Sequence, residues 1–127
     1  MGGGSSVYFA VIAGGDIVGG INLVKSGDEY SWGLFFKPQT SSFLVSACVF
    51  SFLEFAFTRA FKLNALVKNI NEVALKFDQT FGFIFEKSDE VFSYLSQNKK
   101  QWQEHKKTKI MQKIAKTSKE FDIEILE

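Results

Sequence analysis

Short β-rich runs broken by turn residues fill the first third of the chain. Val7 to Ile12 and Ile17 to Val24 are two such runs, and Ala13-Gly14-Gly15-Asp16 between them suits a hairpin turn. Lys25 to Glu29 makes a second turn around Gly27-Asp28, and Tyr30 to Phe36 reads as a third strand. Three antiparallel strands in succession form a meander. Pro38, the chain's only proline, ends the third strand, and Thr40, Ser41 and Ser42 are candidate helix N-caps.

The period changes at Phe43. Apolar residues from Phe43 to Phe57 are too dense for one stripe, which predicts a helix that is nearly surrounded. Ala65, Leu66 and Val67 predict a strand at 65–68. Val73, Ala74 and Phe77 recur at helical spacing after Asn71, so a helix is expected over about 71–80, with Gly82 where it would end. Two further β runs, 83–86 and 91–96, flank a turn at 87–90. Beyond Gln97, Trp102, Lys106, Ile110 and Ile114 recur every fourth residue and predict a single amphipathic helix. Alternation from Phe121 to Leu126 predicts a last strand. The fold class is α+β, organised as a Gly/Ser leader or expression scar at 1–6, a domain at 7–96, and a basic helix with a terminal strand at 97–127.

Composition narrows the function. At 127 residues, 46% of them apolar and 15 of them Phe, the chain suits one domain with a Phe-rich core. The lone Cys48 lies in an apolar run, which excludes an intramolecular disulfide and leaves a buried bystander. His105 has no ligand-spaced partner and is expected to face solvent, so no metal site is read. Net charge is +1, with eight lysines against five acids in residues 97–127. Those lysines are interspersed with acids and lack an aromatic series, so no nucleic-acid partner is expected. The longest apolar run, Phe43 to Phe57, is interrupted by Ser46, Ser51 and Glu54 and is shorter than the roughly 20 residues of a membrane span. No membrane partner is expected, and the default location is the cytoplasm. Nucleophile motifs, Walker loops and dinucleotide glycine patterns are absent.

Residues Leu63 to Phe83, LNALVKNINEVALKFDQTFGF, carry the most information. An apolar strand runs into an Asn-led helix that stops at Gly82-Phe83. This order, with the preceding meander and helix, resembles the Gcn5-related N-acetyltransferase (GNAT) family from its second strand onward, over about 90 residues. Ala56-Phe57 and Tyr94-Leu95-Ser96 with Trp102 are similar to bacterial members that acetylate amino sugars or ribosomal protein N-termini. The resemblance implies an acetyl-CoA cofactor. It would be held by the backbone of the third strand at Phe35 and Phe36, by the loop Gln39, Thr40, Ser41, Ser42, Phe43 and Leu44, and by Asn71. It also implies an amine acceptor and direct attack of the neutral amine on the thioester, in which proximity supplies much of the rate.

Two positions depart from the family pattern. Its pyrophosphate loop reads Gln/Arg-x-x-Gly-x-Gly/Ala, whereas Ser42 and Leu44 stand here where small residues allow close backbone approach. Seven residues after Asn71, where members often carry a Tyr general acid, this chain has Asp78, which donates a proton at neutral pH only if burial raises its pKa. Asp78 and Glu29 are the catalytic candidates, the latter as a base for the amine. The bland readings are a solvated helix carboxylate for Asp78 and a turn residue for Glu29. Gly33 marks either a bulge that splays the third strand or relief of crowding beside Trp32.

Family members carry a further strand and one or two helices before the hairpin. The strand at 7–12 is therefore expected to need cover, and Phe121 to Leu126, from this chain or from a twofold mate in a homodimer, is the candidate. The leading reading is an acetyl-CoA-dependent N-acetyltransferase acting on a small-molecule or N-terminal amine. The alternatives are a non-catalytic GNAT-like assembly module that has lost cofactor binding and an unrelated meander-and-helix fold. A gap between the strands at 30–36 and 65–68 separates the last reading from the others.

Overall fold

Gly14 and Gly15, both left-handed with φ of 60° and 86°, form the tip of the first hairpin. In the computed structural model, which describes residues 4–127, this hairpin joins β1 (Gly4–Ala13) to β2 (Asp16–Ser26), and β3 (Glu29–Phe36) completes the meander. A chain of alternating elements follows: α1 (Ser42–Ala56), β4 (Lys62–Lys68), α2 (Glu72–Thr80), β5 (Ile84–Ser88) and β6 (Phe92–Asn98). Last come α3 (Lys99–His105), α4 (Lys109–Ser118) and β7 (Ile123–Leu126). The seven strands form one sheet in the order β5-β6-β4-β3-β2-β1-β7.

The strand alternation sorts side chains to two faces. Phe9 faces Ile21, Leu23 faces Trp32, and both pairs point with Leu63, Ala65 and Leu95 into a core capped by α1. Ala47, Cys48, Val49, Phe52, Leu53 and Ala56 of α1 are all buried, as its dense pattern requires. Cys48 is free, and burial pushes its thiol up to about 11, which makes it inert. The opposite face carries Tyr8, Phe35 and Leu66, which remain exposed.

Four sequence expectations are corrected. Residues 1–3 of the expected 1–6 leader lie outside the described residues, but Gly4, Ser5 and Ser6 belong to β1 and pair with Ser26, Lys25 and Val24. The tail is two helices, because Asn98 opens α3 with a capping box to Gln101 and Thr108 restarts the chain at α4. Trp102 and Met111 are fully buried while Ile110 is half exposed, so the inward stripe is not the evenly spaced one. The Trp102 indole donates to Glu54 Oε1 at 3.1 Å and stacks on Phe57; burying roughly 200 Å² of ring stabilises by at most roughly 5 kcal/mol. Nor is His105 a free solvent-facing group: its Nε2 lies 2.8 Å from the Thr80 carbonyl, which binds α3 to the end of α2. Finally, β3 passes Gly33 in unbroken register with Asn22, so there is no bulge. A Cβ at Gly33 would meet the Asn22 amide oxygen at 2.6 Å, so the crowding seen at this glycine comes from β2 across the ladder.

The outer edge of β1 is covered from within the chain at its last four residues. Ala10 to Ala13 pair antiparallel with Leu126 to Ile123, and the Gly14 N–H donates to the Asp122 carbonyl. No helix is long and apolar enough to cross a membrane.

Candidate functional site

β3 and β4 run parallel, yet they pair only at Tyr30 with Leu63 and Ser31 with Asn64. Beyond Ser31 the strands diverge. From Trp32 onward β3 is laddered on its β2 side alone, and from Ala65 onward β4 on its β6 side alone. Backbone N–H and C=O groups on both inner edges are thus left for an extended polar ligand. The gap opens into a cleft of about 630 Å³. Gly33 and Leu34 form one wall, Ala65 to Lys68 the other, with Val45 of α1 and Asn71, Ala74, Phe77 and Asp78 at α2 closing it. A gap at this place counts against the unrelated-fold reading.

Asn71 is the N-cap of α2. Its Oδ1 accepts the Ala74 N–H at 3.1 Å, while its amide nitrogen, also at the cleft, has no partner among the described residues. Two turns further on and on the same side, Asp78 is 8% exposed and its carboxyl makes no hydrogen bond among the described residues. This corrects the solvated reading. Burial pushes its pKa up to about 7, because an isolated charge there has lost its water.

The loop before α1 has its own geometry. Among the described residues Gln39 is the one non-glycine with left-handed backbone, at φ 69°, so the sharp turn falls there and not at Ser42 or Leu44. Thr40 Oγ1 donates to the Lys37 carbonyl. Ser41 caps α1, its Oγ accepting the Leu44 N–H at 3.2 Å. The N–H groups of Ser42 and Phe43 stay unpaired among the described residues. Leu44 packs against the core, so its side chain does not block the turn.

The side chains of several expected cofactor residues lie away from the cleft. Phe35 is 69% exposed on the open face beside Tyr8, and Phe36 is packed against the core. Ser42 and Phe43 border a groove against α4. Glu29 begins β3 and occupies a different depression, where it accepts from Asn64 Nδ2 at 2.9 Å and pairs with Lys62 at 3.6 Å. The Asn64 amide, and then the Lys62 charge, hold its carboxyl below the usual range, which weakens it as a base. Sequence reasoning missed Leu34, Val45 and Val67, since apolar strand and helix positions give no local sign of lining a gap.

No family model and no curated protein matches the chain. Among solved structures, the Campylobacter jejuni N-acetyltransferase PseH is 28% identical with a TM-score of 0.67, covering 74% of this chain and 68% of its own. A GCN5-related N-acetyltransferase from Brucella melitensis is 19% identical, TM-score 0.68, over 80% of this chain and 55% of its own. A mutant of the spermidine/spermine N-acetyltransferase SpeG from Vibrio cholerae is 13% identical, TM-score 0.71, over 80% and 69%. The chain thus has the fold of the Gcn5-related N-acetyltransferases, and the likeness supports its assignment to that family.

Proposed function

We propose that the chain is an acetyl-CoA-dependent N-acetyltransferase acting on a small-molecule or N-terminal amine. The observation that carries this reading is the one-sided pairing of β3 and β4 around a cleft that holds both Asn71 and Asp78. Support also comes from PseH, which has a structure in complex with acetyl coenzyme A, and from SpeG, a spermidine/spermine acetyltransferase.

The residues present fit the cofactor. The unpaired edges of β3 and β4 can pair with the amides of its pantetheine arm, the Asn71 amide nitrogen can donate to it, and the N–H groups of Ser42 and Phe43 can face its pyrophosphate. When bound, acetyl-CoA supplies an activated acyl thioester. The chain contributes position, exclusion of water by Leu34, Val45 and Phe77, and a proton: Asp78 keeps one on a carboxyl oxygen up to about pH 7 and can release it to a departing thiolate.

A second reading, a GNAT-like binding module without catalysis, draws on Ser41. Its hydroxyl already occupies the Leu44 N–H, so a phosphate meets fewer free donors at this helix start. Calorimetric titration with acetyl-CoA and with free CoA decides between them. Binding near micromolar, about −8 kcal/mol, supports the enzyme; no heat at millimolar ligand leaves the module.

A further inference from the structure

On the sheet face away from the core, Tyr8, Ile17, Phe35 and Leu126 are each about half exposed or more. Two registered rows cross this face. In the first, Leu126 pairs with Ala10, Ala10 with Gly20, and Gly20 with Phe35. In the second, two residues along, Glu124 pairs with Ile12, Ile12 with Ile17, and the Lys37 N–H donates to the Val18 carbonyl. Strand alternation turns Glu124 and Leu126 to the same side. Small residues thus floor the middle of the first row, with a large apolar side chain at each end. A Cβ at Gly20 would meet the Phe35 ring at 2.8 Å, so that ring leans over the glycine in a fixed place. Between the walls lies an apolar trough of about 440 Å³ that Tyr8, Ile17 and Lys37 also border. Charge sits on its two rims. Lys37, just past β3, and Glu124, on β7, form no salt bridge among the described residues, whereas Glu127 is taken by Arg59 at 3.7 Å.

We propose that two copies of the chain meet on this face, sheet on sheet, about a twofold axis that runs parallel to the strands between β1 and β2. That rotation exchanges the ends of each row. Phe35 then falls over Leu126 and Ala10 of the second copy, Lys37 falls over its Glu124, and each contact is made twice. In the row on the other side, Tyr8 falls over Asn22 of the second copy, because the axis exchanges β1 with β2. The face is therefore its own complement in shape and in charge, while a partner of one charge sign leaves one rim unmatched. Four strands about 4.8 Å apart, with the length of β1, offer at most roughly 600 Å² per copy. A pair buries about twice that, which is the lower bound for specific interfaces, so the association is weak and concentration-dependent.

Sedimentation equilibrium of the intact chain, from micromolar to submillimolar concentration, tests this directly. A monomer–dimer equilibrium is expected, and Phe35→Asp is expected to leave a monomer throughout. Lys37→Glu and Glu124→Lys, both at exposed positions, are each expected to weaken association about tenfold by setting like charges against each other, and the double variant to restore it. Such a rescue is specific, since two changes that merely disturbed the fold would add instead of cancelling. Circular dichroism on every variant checks that the strands are intact. A monomer at all concentrations in the unmodified chain, a dimer that survives Phe35→Asp, or charge variants that are without effect or are not rescued together overturns the proposal.

Discussion

Trp32 of β3 stacks on Phe83, just past the end of α2, with ring centres 5.0 Å apart and planes at 20°. The contact ties β3, whose Trp32 lines the cleft, to the segment that follows the helix carrying Asp78. Trp32 stacks on Phe52 of α1 as well, at 6.1 Å. One aromatic column thus joins β3 to α1 and to the segment after α2 beside the cleft.

Phe83 is 3% exposed, and Phe83→Ala should cost about 3–5 kcal/mol in urea unfolding. Phe83→Leu keeps most of the volume and should cost less than about 2 kcal/mol, while still lowering acetyl-CoA affinity because the Trp32 stack is lost. Unchanged affinity in the stable Leu variant would show that the column does not shape the cleft.

Asp78 sets a pH dependence of known sign. Its folded pKa of about 7 exceeds the unfolded value near 4, so the folded state holds the extra proton between them. Stability should fall as pH rises from about 4 to 7 and then level off, by at most about 4 kcal/mol for the three-unit difference. Asp78→Asn should flatten this slope and raise the melting temperature at pH 8. Acetyl transfer, in turn, should decline above pH 7 as the proton is lost, and the Asn variant should be slow at every pH.

Asn71 has two separable tasks. Asn71→Ala removes the cap on Ala74 and should cost about 1 kcal/mol. Asn71→Asp keeps an acceptor for the cap and should preserve stability, yet it deletes the amide donor, so both variants should bind acetyl-CoA more weakly. Full affinity in Asn71→Asp would remove the residue from the cofactor site.

Truncation after Asp122 removes β7 while keeping Trp102 and Met111 in the core. It bares the edge of β1 at Ala10 to Ala13 and uncovers apolar surface under Ile123 and Ile125. Light scattering should then detect species larger than those the intact chain forms. A monodisperse chain with an unchanged melting temperature would mean that the edge needs no cover.

Much of this fold was legible in the order of residues. The meander follows from strands of period two and from Gly-rich turns, α1 from its apolar density, and α2 from Asn71, because these signals act over a few residues through backbone dihedrals and caps. The break at Lys106 to Thr108 was missed: an every-fourth-residue stripe looks the same whether one helix or two carries it, and only the packing of Trp102 and Met111 separates them. The chemistry belongs to tertiary structure. Asp78 reads as a surface carboxylate until the cleft it shares with Trp32, Leu34, Val45 and Phe77 takes most of its water away. Sequence determined which elements form; the splay of β3 from β4, and every group facing it, was decided by contacts between residues tens of positions apart, whose energies leave no local pattern in the chain.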